Sequence, residues 1–182
     1  MFDELDITKE ERDKYRQLLL GKRVLFLEGI IKESKINQLL KWLRILNNES
    51  KEEITLYINS SGGDAHPALW FYDALRISPA PITGIVNGRC ESMAVIILQG
   101  CKKRKSTKHC RFHIHPISTT LLRIGNEKAI KKVLEEGRKT QNHIYQILSE
   151  KTGKTILEIK TKENQNLWAE EAKELGLIDE II

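Results

Sequence analysis

The chain has 182 residues, a length that suits a single domain with a sizeable hydrophobic core. Hydrophobic residues make up 40% of the sequence and charged residues 30%, which predicts a folded, soluble protein and excludes a disordered one. The net charge is +5, and much of it lies in basic runs such as residues 102–105 and 131–132. These runs have no interleaved aromatic residues and match no reader motif, so we interpret them as solvated faces and expect no nucleic-acid partner.

The N-terminus and the cysteines indicate a cytoplasmic protein without a membrane partner. No basic segment is followed by an apolar stretch at the N-terminus, and no run approaches the ~18 apolar residues that span a membrane. Cys90, Cys101 and Cys110 show neither metal-ligand spacing nor a disulfide pattern, which fits a reducing compartment. We interpret Cys90 as a small buried residue, and we expect neither a metal nor a cofactor.

Strands and helices are predicted to alternate through the first half of the chain, after a charged segment over residues 4–20 that forms a short helix or a flexible arm. The predicted strands cover residues 24–28, 54–58 and 82–86. The predicted helices cover residues 34–46, 65–77 and about 92–98. Ser34 is the candidate N-cap of the first helix, and turns are predicted at residues 59–64 and at Gly88. This alternation favours an α/β fold with functional residues at the carboxyl ends of the strands.

The second half of the chain is predicted to contain a long helix over about residues 126–150. Its apolar stripe is partial, because Gly137, Thr140 and Gln141 interrupt it, and such a helix is a candidate for contact between subunits. A further helix over residues 169–176, with Gly176 as its C-cap, leads into a final strand over residues 177–182.

Ser92 and His115 are the candidate catalytic pair. A serine hydroxyl becomes a good nucleophile only when a neighbouring base takes its proton, and histidine is the usual base near neutral pH. Ser92 is predicted to lie at the tip of a strand–turn–helix, where the N–H of Met93 can stabilise an oxyanion. A glycine pair at residues 62–63 supplies a second backbone segment that can approach closely. An isolated serine at a helix start is usually an N-cap, but this combination indicates an acyl-transfer enzyme.

Four blocks of the sequence together resemble one known family. They are Leu56-Tyr-Ile-Asn-Ser-Ser-Gly-Gly63, Gly88-x-x-x-Ser-Met93, Ile114-His115 and Glu171-Ala-Lys-Glu-Leu-Gly-Leu-Ile-Asp179. In order and approximate spacing they resemble the ClpP peptidase family over about residues 22–182. The resemblance implies an α/β, ClpP/crotonase-like fold of repeated β-β-α units with a protruding handle helix.

The resemblance also implies an organisation and a function. The single domain, residues 1–182, would comprise an N-terminal arm (1–21), a head (22–122), a handle helix (123–152) and a C-terminal part of the head (153–182). The protein would be a serine endopeptidase that hydrolyses unfolded polypeptides inside a homo-oligomeric chamber. That chamber would be a tetradecamer of two stacked heptameric rings, to which an ATP-driven AAA+ unfoldase docks.

The resemblance implies roles for individual residues. Ser92 is the nucleophile and His115 the general base, while Gly63 and Met93 supply the backbone donors of the oxyanion hole. His113 is the alternative base, and we expect it to point to the opposite face from His115.

Two positions depart from the family pattern. The family has an aspartate in the interval 160–168, where this chain has none. Counting forward from the preceding turn reaches Asn166, and counting back from the following helix reaches Asn164, so either asparagine is a candidate third member. Glu163 is an alternative carboxylate. Glu91 stands where the family usually has a small residue; it either acts on His115 or points to solvent or to a neighbouring subunit.

Three functions remain open on these observations. The leading hypothesis is an active ClpP-like peptidase. The second is a ring subunit with impaired catalysis, which the missing aspartate favours. The third is a crotonase-type acyl-CoA enzyme, which would leave Ser92 and His115 unexplained.

Overall fold

The structure is a computed structural model that describes residues 18–118 and 126–182, together with Glu10 and Lys14. Most of the segment predicted as a short helix or arm, residues 4–20, lies outside the described residues. The first three residues of the expected handle, 123–125, also lie outside them.

Strands and helices alternate along the chain, which confirms the α/β class. The strands are β1 (Val24–Ile31), β2 (Ile54–Gly63), β3 (Ile82–Glu91), β4 (Lys103–Ser106), β5 (Arg111–His113), β6 (Asn166–Trp168) and β7 (Glu180–Ile181). The helices between them are α1 (Glu33–Glu49), α2 (Ala65–Arg76), α3 (Met93–Gln99), α4 (Glu127–Thr152), α5 (Ile156–Thr161) and α6 (Ala169–Leu175). Among the described residues, no helix is long and apolar enough to cross a lipid bilayer.

The sheet places the ends of β3 and β5 side by side. Its main path is β1-β2-β3-β4-β7, and all of these neighbours are parallel. Strand β3 has two partners on one edge: Thr83 to Val86 pair with β4, whereas Arg89 to Glu91 pair with β5. Strand β5 also pairs with β6, and this is an antiparallel pair. The residues that follow β3 and β5 therefore leave the sheet next to each other.

The core lies between the sheet and the helices, and α3 is at its centre. All seven residues of α3 are buried, as expected for a helix in which every residue but Gln99 is apolar. The strands alternate between faces: Leu25 and Leu27 are buried, while Phe26 lies on the outer face, where its ring stacks on Tyr57 with centroids 5.5 Å apart.

The two turns predicted from glycine-containing segments were wrong. Strand β2 continues through Gly63, because Ile31 of β1 remains its ladder partner. Strand β3 continues past Gly88 to Glu91, because Cys90 pairs with Phe112 of β5. Pairing with a distant strand thus overrides the local preference for a turn.

The structure also tests the predicted start of α1, the predicted end of α6 and the length of the last strand. Helix α1 begins at Glu33 with Lys32 at the N-cap position and no side-chain cap, so Ser34 is not the cap. Gly176 ends α6 in the left-handed conformation at φ 85°, which confirms it as the C-cap. The final strand contains only Glu180–Ile181, which is shorter than predicted, since Leu177 and Ile178 are buried outside it.

The basic run at residues 102–105 is largely neutralised by acidic partners. Lys103 lies 3.6 Å from Glu53, Lys105 lies 2.5 Å from Glu180, and Arg104 pairs with Asp179. The Arg104 side chain is only 13% exposed, so the interpretation of the whole run as a solvated face was wrong at this position.

Arg104 joins three helices. Its guanidinium donates to Gln99 Oε1 at 2.6 Å, to the Gly176 carbonyl at 2.9 Å and to the Lys151 carbonyl at 3.3 Å. These acceptors lie at the ends of α3, α6 and α4. Charge-assisted hydrogen bonds of this kind contribute more to stability than neutral ones, so Arg104 fixes the C-terminal end of α4 to the ends of α3 and α6.

We expect Asp179→Asn to destabilise the fold near neutral pH by about 1 kcal/mol, a discounted value because Asp179 is half-exposed. Burial acts to raise the pKa of the Asp179 carboxyl, but hydrogen bonds from the Arg104 side chain and backbone outweigh it and hold the pKa below its usual value. A group whose pKa is lowered in the folded state stabilises the fold at pH values above its unfolded-state pKa. This stabilisation is lost as the pH falls through the folded-state pKa.

The difference in the free energy of unfolding between wild type and Asp179→Asn should therefore shrink below about pH 4. Urea unfolding at pH 7 and at low pH measures this difference. Glu180→Gln removes the neighbouring, more exposed carboxylate and serves as the matched control. A difference between wild type and Asp179→Asn that stays constant across this pH range would contradict the linkage.

Candidate active site

Ser92 lies on a strained turn between β3 and α3. Its backbone has φ 53° and ψ −125°, a conformation that costs a non-glycine residue on the order of 1–3 kcal/mol. The Ser92 N–H donates to the His113 carbonyl at 2.7 Å, which fastens the turn to the end of β5. A serine on such a strand-to-helix turn presents its hydroxyl away from the sheet, as a nucleophile requires.

The end of β2 lies directly against this turn. A Cβ atom added to Gly62 would lie 2.7 Å from the Glu91 carbonyl oxygen and from Ser92 Cβ, and 3.0 Å from the Met93 nitrogen. Gly62 and Gly63 both have positive φ, at 84° and 147°. Only glycine permits this approach at Gly62, as the sequence predicted, while the oxyanion-hole role of Gly63 and Met93 stays a prediction.

His115 follows β5 by two residues and is half-buried. Its Nδ1 lies 2.7 Å from the Pro116 carbonyl oxygen. A carbonyl oxygen only accepts hydrogen bonds, so Nδ1 must carry the proton and Nε2 has its lone pair free in the neutral ring. This tautomer is the one that a general base needs.

One cavity of about 230 Å³ brings the predicted residues together. Ser92 and His115 both line it, as do Gly63 and Met93. Its apolar wall comprises Val95, Ile96, Ile114, Ile117, Ile144 and Leu148. Among the described residues, Ser92 Oγ and the His115 ring share no hydrogen bond; such bonds are often long without substrate.

His113 does not point away from His115, and that expectation was wrong. The two ring centroids are 5.8 Å apart, because residues two apart on an extended strand share a face. His113 Nδ1 lies 3.0 Å from the Gln165 carbonyl, so its ring is turned toward the segment that precedes β6.

The two candidate asparagines have different contacts. In the β5–β6 pair, His113 is opposite Asn166, which is the last pair of that ladder. Asn164 lies in the turn before β6, with a left-handed backbone at φ 60°. Its N–H donates to the Ile114 carbonyl at 2.8 Å, so Asn164 contacts the segment that contains His115 without a strand register that places it opposite the histidine. The hydrogen-bond partner of His115 Nδ1 in the structure is nevertheless the Pro116 carbonyl, which sequence reasoning missed.

The two alternative carboxylates are both engaged elsewhere. Glu91 is 15% exposed and pairs with Arg111 of β5 at 2.6 Å, so it points neither to solvent nor to His115. Glu163 accepts a hydrogen bond from the Tyr145 hydroxyl at 2.6 Å.

Cys90 is a buried free thiol, as predicted, and so are Cys101 and Cys110. Burial raises the pKa of the Cys90 thiol well above its usual value, which keeps it protonated and unreactive. Cys90 therefore does not compete with Ser92 as a nucleophile.

A parallel α/β sheet with a serine on a strained strand-to-helix turn, beside a histidine, is typical of serine hydrolases. The sequence pattern of the Clp protease family matches residues 7–182. The chain belongs to the Clp protease family.

Curated relatives and a solved structure agree with this assignment. The ATP-dependent Clp protease proteolytic subunit 2 of Corynebacterium glutamicum is 31% identical over 90% of this chain and 83% of its own length. The proteolytic subunit of Bacteroides fragilis is 28% identical over 100% of this chain and 89% of its own length. A solved structure of a ClpP1 mutant from Listeria monocytogenes superposes with a TM-score of 0.82 over 92% of this chain and 95% of that one, at 24% identity. The predicted ClpP-like fold is thus confirmed.

Proposed function

We propose that this chain is a serine endopeptidase, the proteolytic subunit of a Clp-like protease. The observation that carries the proposal is the shared cavity: Ser92 on its strained turn and His115 in the tautomer of a base line the same space. The names of the relatives, which are proteolytic subunits of ATP-dependent Clp proteases, support peptide-bond hydrolysis as the reaction.

The mechanism assigns each residue one step. His115 Nε2 accepts the Ser92 proton as Oγ attacks the scissile carbonyl, and then donates it to the leaving amine. The Gly63 and Met93 N–H groups stabilise the oxyanion that forms. The resulting acyl-enzyme is hydrolysed when His115 activates a water in the same way. The Pro116 carbonyl holds His115 Nδ1, and Asn164 or Asn166 is the candidate third member near the histidine segment.

The proposal extends to assembly. Membership of the family supports an oligomer, and we propose stacked heptameric rings that form a tetradecamer, with an AAA+ unfoldase that delivers unfolded polypeptides. Helix α4 would be the handle of the expected organisation: arm 1–21, head 22–122, handle 123–152 and C-terminal part 153–182. The buried free thiols suit a reducing compartment such as the cytoplasm.

A second candidate function is a ring subunit with impaired catalysis. One observation favours it: within the part of the chain that the structure describes, His115 Nδ1 bonds a neutral carbonyl and no carboxylate. A carbonyl selects the correct tautomer, but it stabilises the imidazolium less than a charge does. A crotonase-type enzyme has no comparable support, because it gives no reason for the strain at Ser92.

Labelling with a fluorophosphonate probe separates the two candidates. We expect the wild-type chain to be labelled, with the adduct located by mass spectrometry on the peptide that contains Ser92. Light scattering measures ring assembly in the same sample. Assembled rings without a Ser92 adduct would overturn the active-peptidase proposal in favour of the impaired subunit.

A further inference from the structure

One face of helix α4 contacts the segment that follows His115. Gln141 and Tyr145 are four residues apart and therefore lie one above the other on the helix. Gln141 Oε1 accepts a hydrogen bond from the Ile117 N–H at 2.5 Å, two residues beyond His115. Gln141 is half-buried at this contact, in the stretch where polar residues interrupt the apolar stripe.

The same face also contacts the segment that precedes β6. The Tyr145 side chain is buried, and its hydroxyl donates to Glu163 Oε1 at 2.6 Å. Lys160 Nζ lies 4.9 Å from the centroid of the Tyr145 ring. Burial, and then the hydrogen bond and charge of Glu163, raise the pKa of Tyr145 to about 12, so the phenol keeps the proton that it donates.

The two contacted segments are joined to each other. The Asn164 N–H donates to the Ile114 carbonyl at 2.8 Å, and His113 Nδ1 meets the Gln165 carbonyl at 3.0 Å. The short stretch that begins at Glu163 is therefore bonded to α4 through Tyr145, and to the histidine segment through the backbones of Asn164 and Gln165. One attachment point of α4, at Ile117, is two residues from His115, and the other, at Glu163, adjoins the residue that bonds Ile114.

We propose that Gln141 and Tyr145 are positioning residues for His115, Gln141 through the Ile117 backbone and Tyr145 through Glu163. Neither side chain touches the reacting atoms; each fixes a segment that bears on the histidine. Holding a base in its productive geometry is worth a large rate factor, since a misplacement of ~1 Å costs about 10²-fold. The kinetic part of this inference rests on the proposed peptidase function, whereas the geometric part does not.

Three variants test the contacts. Tyr145→Phe removes only the hydroxyl, and Gln141→Leu removes the acceptor of the Ile117 N–H. Gln141→Glu keeps an acceptor oxygen and should behave like wild type. Ser149→Ala is the matched control, because it deletes a hydroxyl from the same helix whose 2.6 Å bond goes to the Lys154 carbonyl, away from the site.

The first readout needs no peptidase activity. Diethyl pyrocarbonate modifies accessible imidazoles, and peptide mass spectrometry gives the rate at each histidine. We expect the rate at His115 to rise about threefold in Tyr145→Phe and Gln141→Leu, because the half-buried ring gains freedom. The exposed His109 and His143 should not change. Unchanged rates at His115 in both variants would overturn the proposal, even if the protein proved to be inactive.

The second readout is kinetic and is made well below the melting temperature of each variant. We expect kcat to fall about tenfold in Tyr145→Phe and in Gln141→Leu with KM nearly unchanged, and Gln141→Glu to retain wild-type kcat. In a Glu163→Ala background, Tyr145→Phe should add no further loss, because its effect passes through Glu163. Additive losses, or a loss in Ser149→Ala as large as in Tyr145→Phe, would show general destabilisation instead and overturn the positioning role.

Discussion

Ser92→Ala is expected to lower peptidase turnover by roughly 10⁴–10⁶-fold and to abolish fluorophosphonate labelling, because the acyl-enzyme can no longer form. Alanine tolerates a positive φ no better than serine, so the turn should keep its strain and the fold should survive. Hydrolysis of an unfolded protein substrate, together with circular dichroism of the same samples, measures both effects.

Ser118 provides a matched control for this substitution. Its side chain lines the same cavity, but it follows His115 in an exposed position, away from the turn. Ser118→Ala should keep labelling and turnover close to wild type. If Ser118→Ala lost labelling while Ser92→Ala kept it, the nucleophile would be the wrong serine and the proposed mechanism would fail.

Asn164→Asp is expected to raise kcat/KM about tenfold, because Asn164 is bonded to the Ile114 carbonyl next to His115, and a carboxylate there would stabilise the imidazolium that forms during attack. The reverse change in one Ser-His-Asp protease costs about 10⁴-fold. We expect a smaller gain here, since Asn164 is exposed and the Pro116 carbonyl already holds His115 Nδ1. A nearby carboxylate favours the protonated ring, so the acid limb of the pH–rate profile should move to higher pH.

Asn166→Asp is the comparison that separates the two candidate asparagines. It adds the same charge two residues further along, opposite His113. We expect it to change kcat/KM by no more than about twofold, because β6 pairs this position with His113 and not with His115. A gain in Asn166→Asp without one in Asn164→Asp would show that Asn166, and not Asn164, is the position that acts on His115.

Local patterns predicted the elements that depend on local structure. The apolar periodicity of α1, the continuous apolar run of α3 and the Gly176 cap are properties of neighbouring residues, and the structure agrees with each of them. The glycine pair at residues 62–63 was also identified as a close approach, because only a residue without a Cβ can be placed there. The catalytic roles of Ser92 and His115 remain predictions.

Sequence reasoning missed the features that depend on distant partners. Strand β6 contains three residues, too few to show a period, and it is a strand because Leu167 pairs with Phe112 of β5. The ion pair of Glu91 with Arg111 arises from the parallel pairing of β3 with β5, which no local pattern shows. The polar Gln141 within an apolar stripe was the only local signal of the α4 contacts.

The order of the strands along the chain has a consequence for protein synthesis. Ser92 and His115 leave the ribosome early, but β6, the strand that pairs with the histidine segment, lies some fifty residues later. Contacts across such a separation form only after both partners have been made. A growing chain therefore carries Ser92 and His115 before the strand that pairs with the histidine segment exists. Under the proposed peptidase function, the segment of the base would stay without its β6 partner until the C-terminal part of the chain had been made.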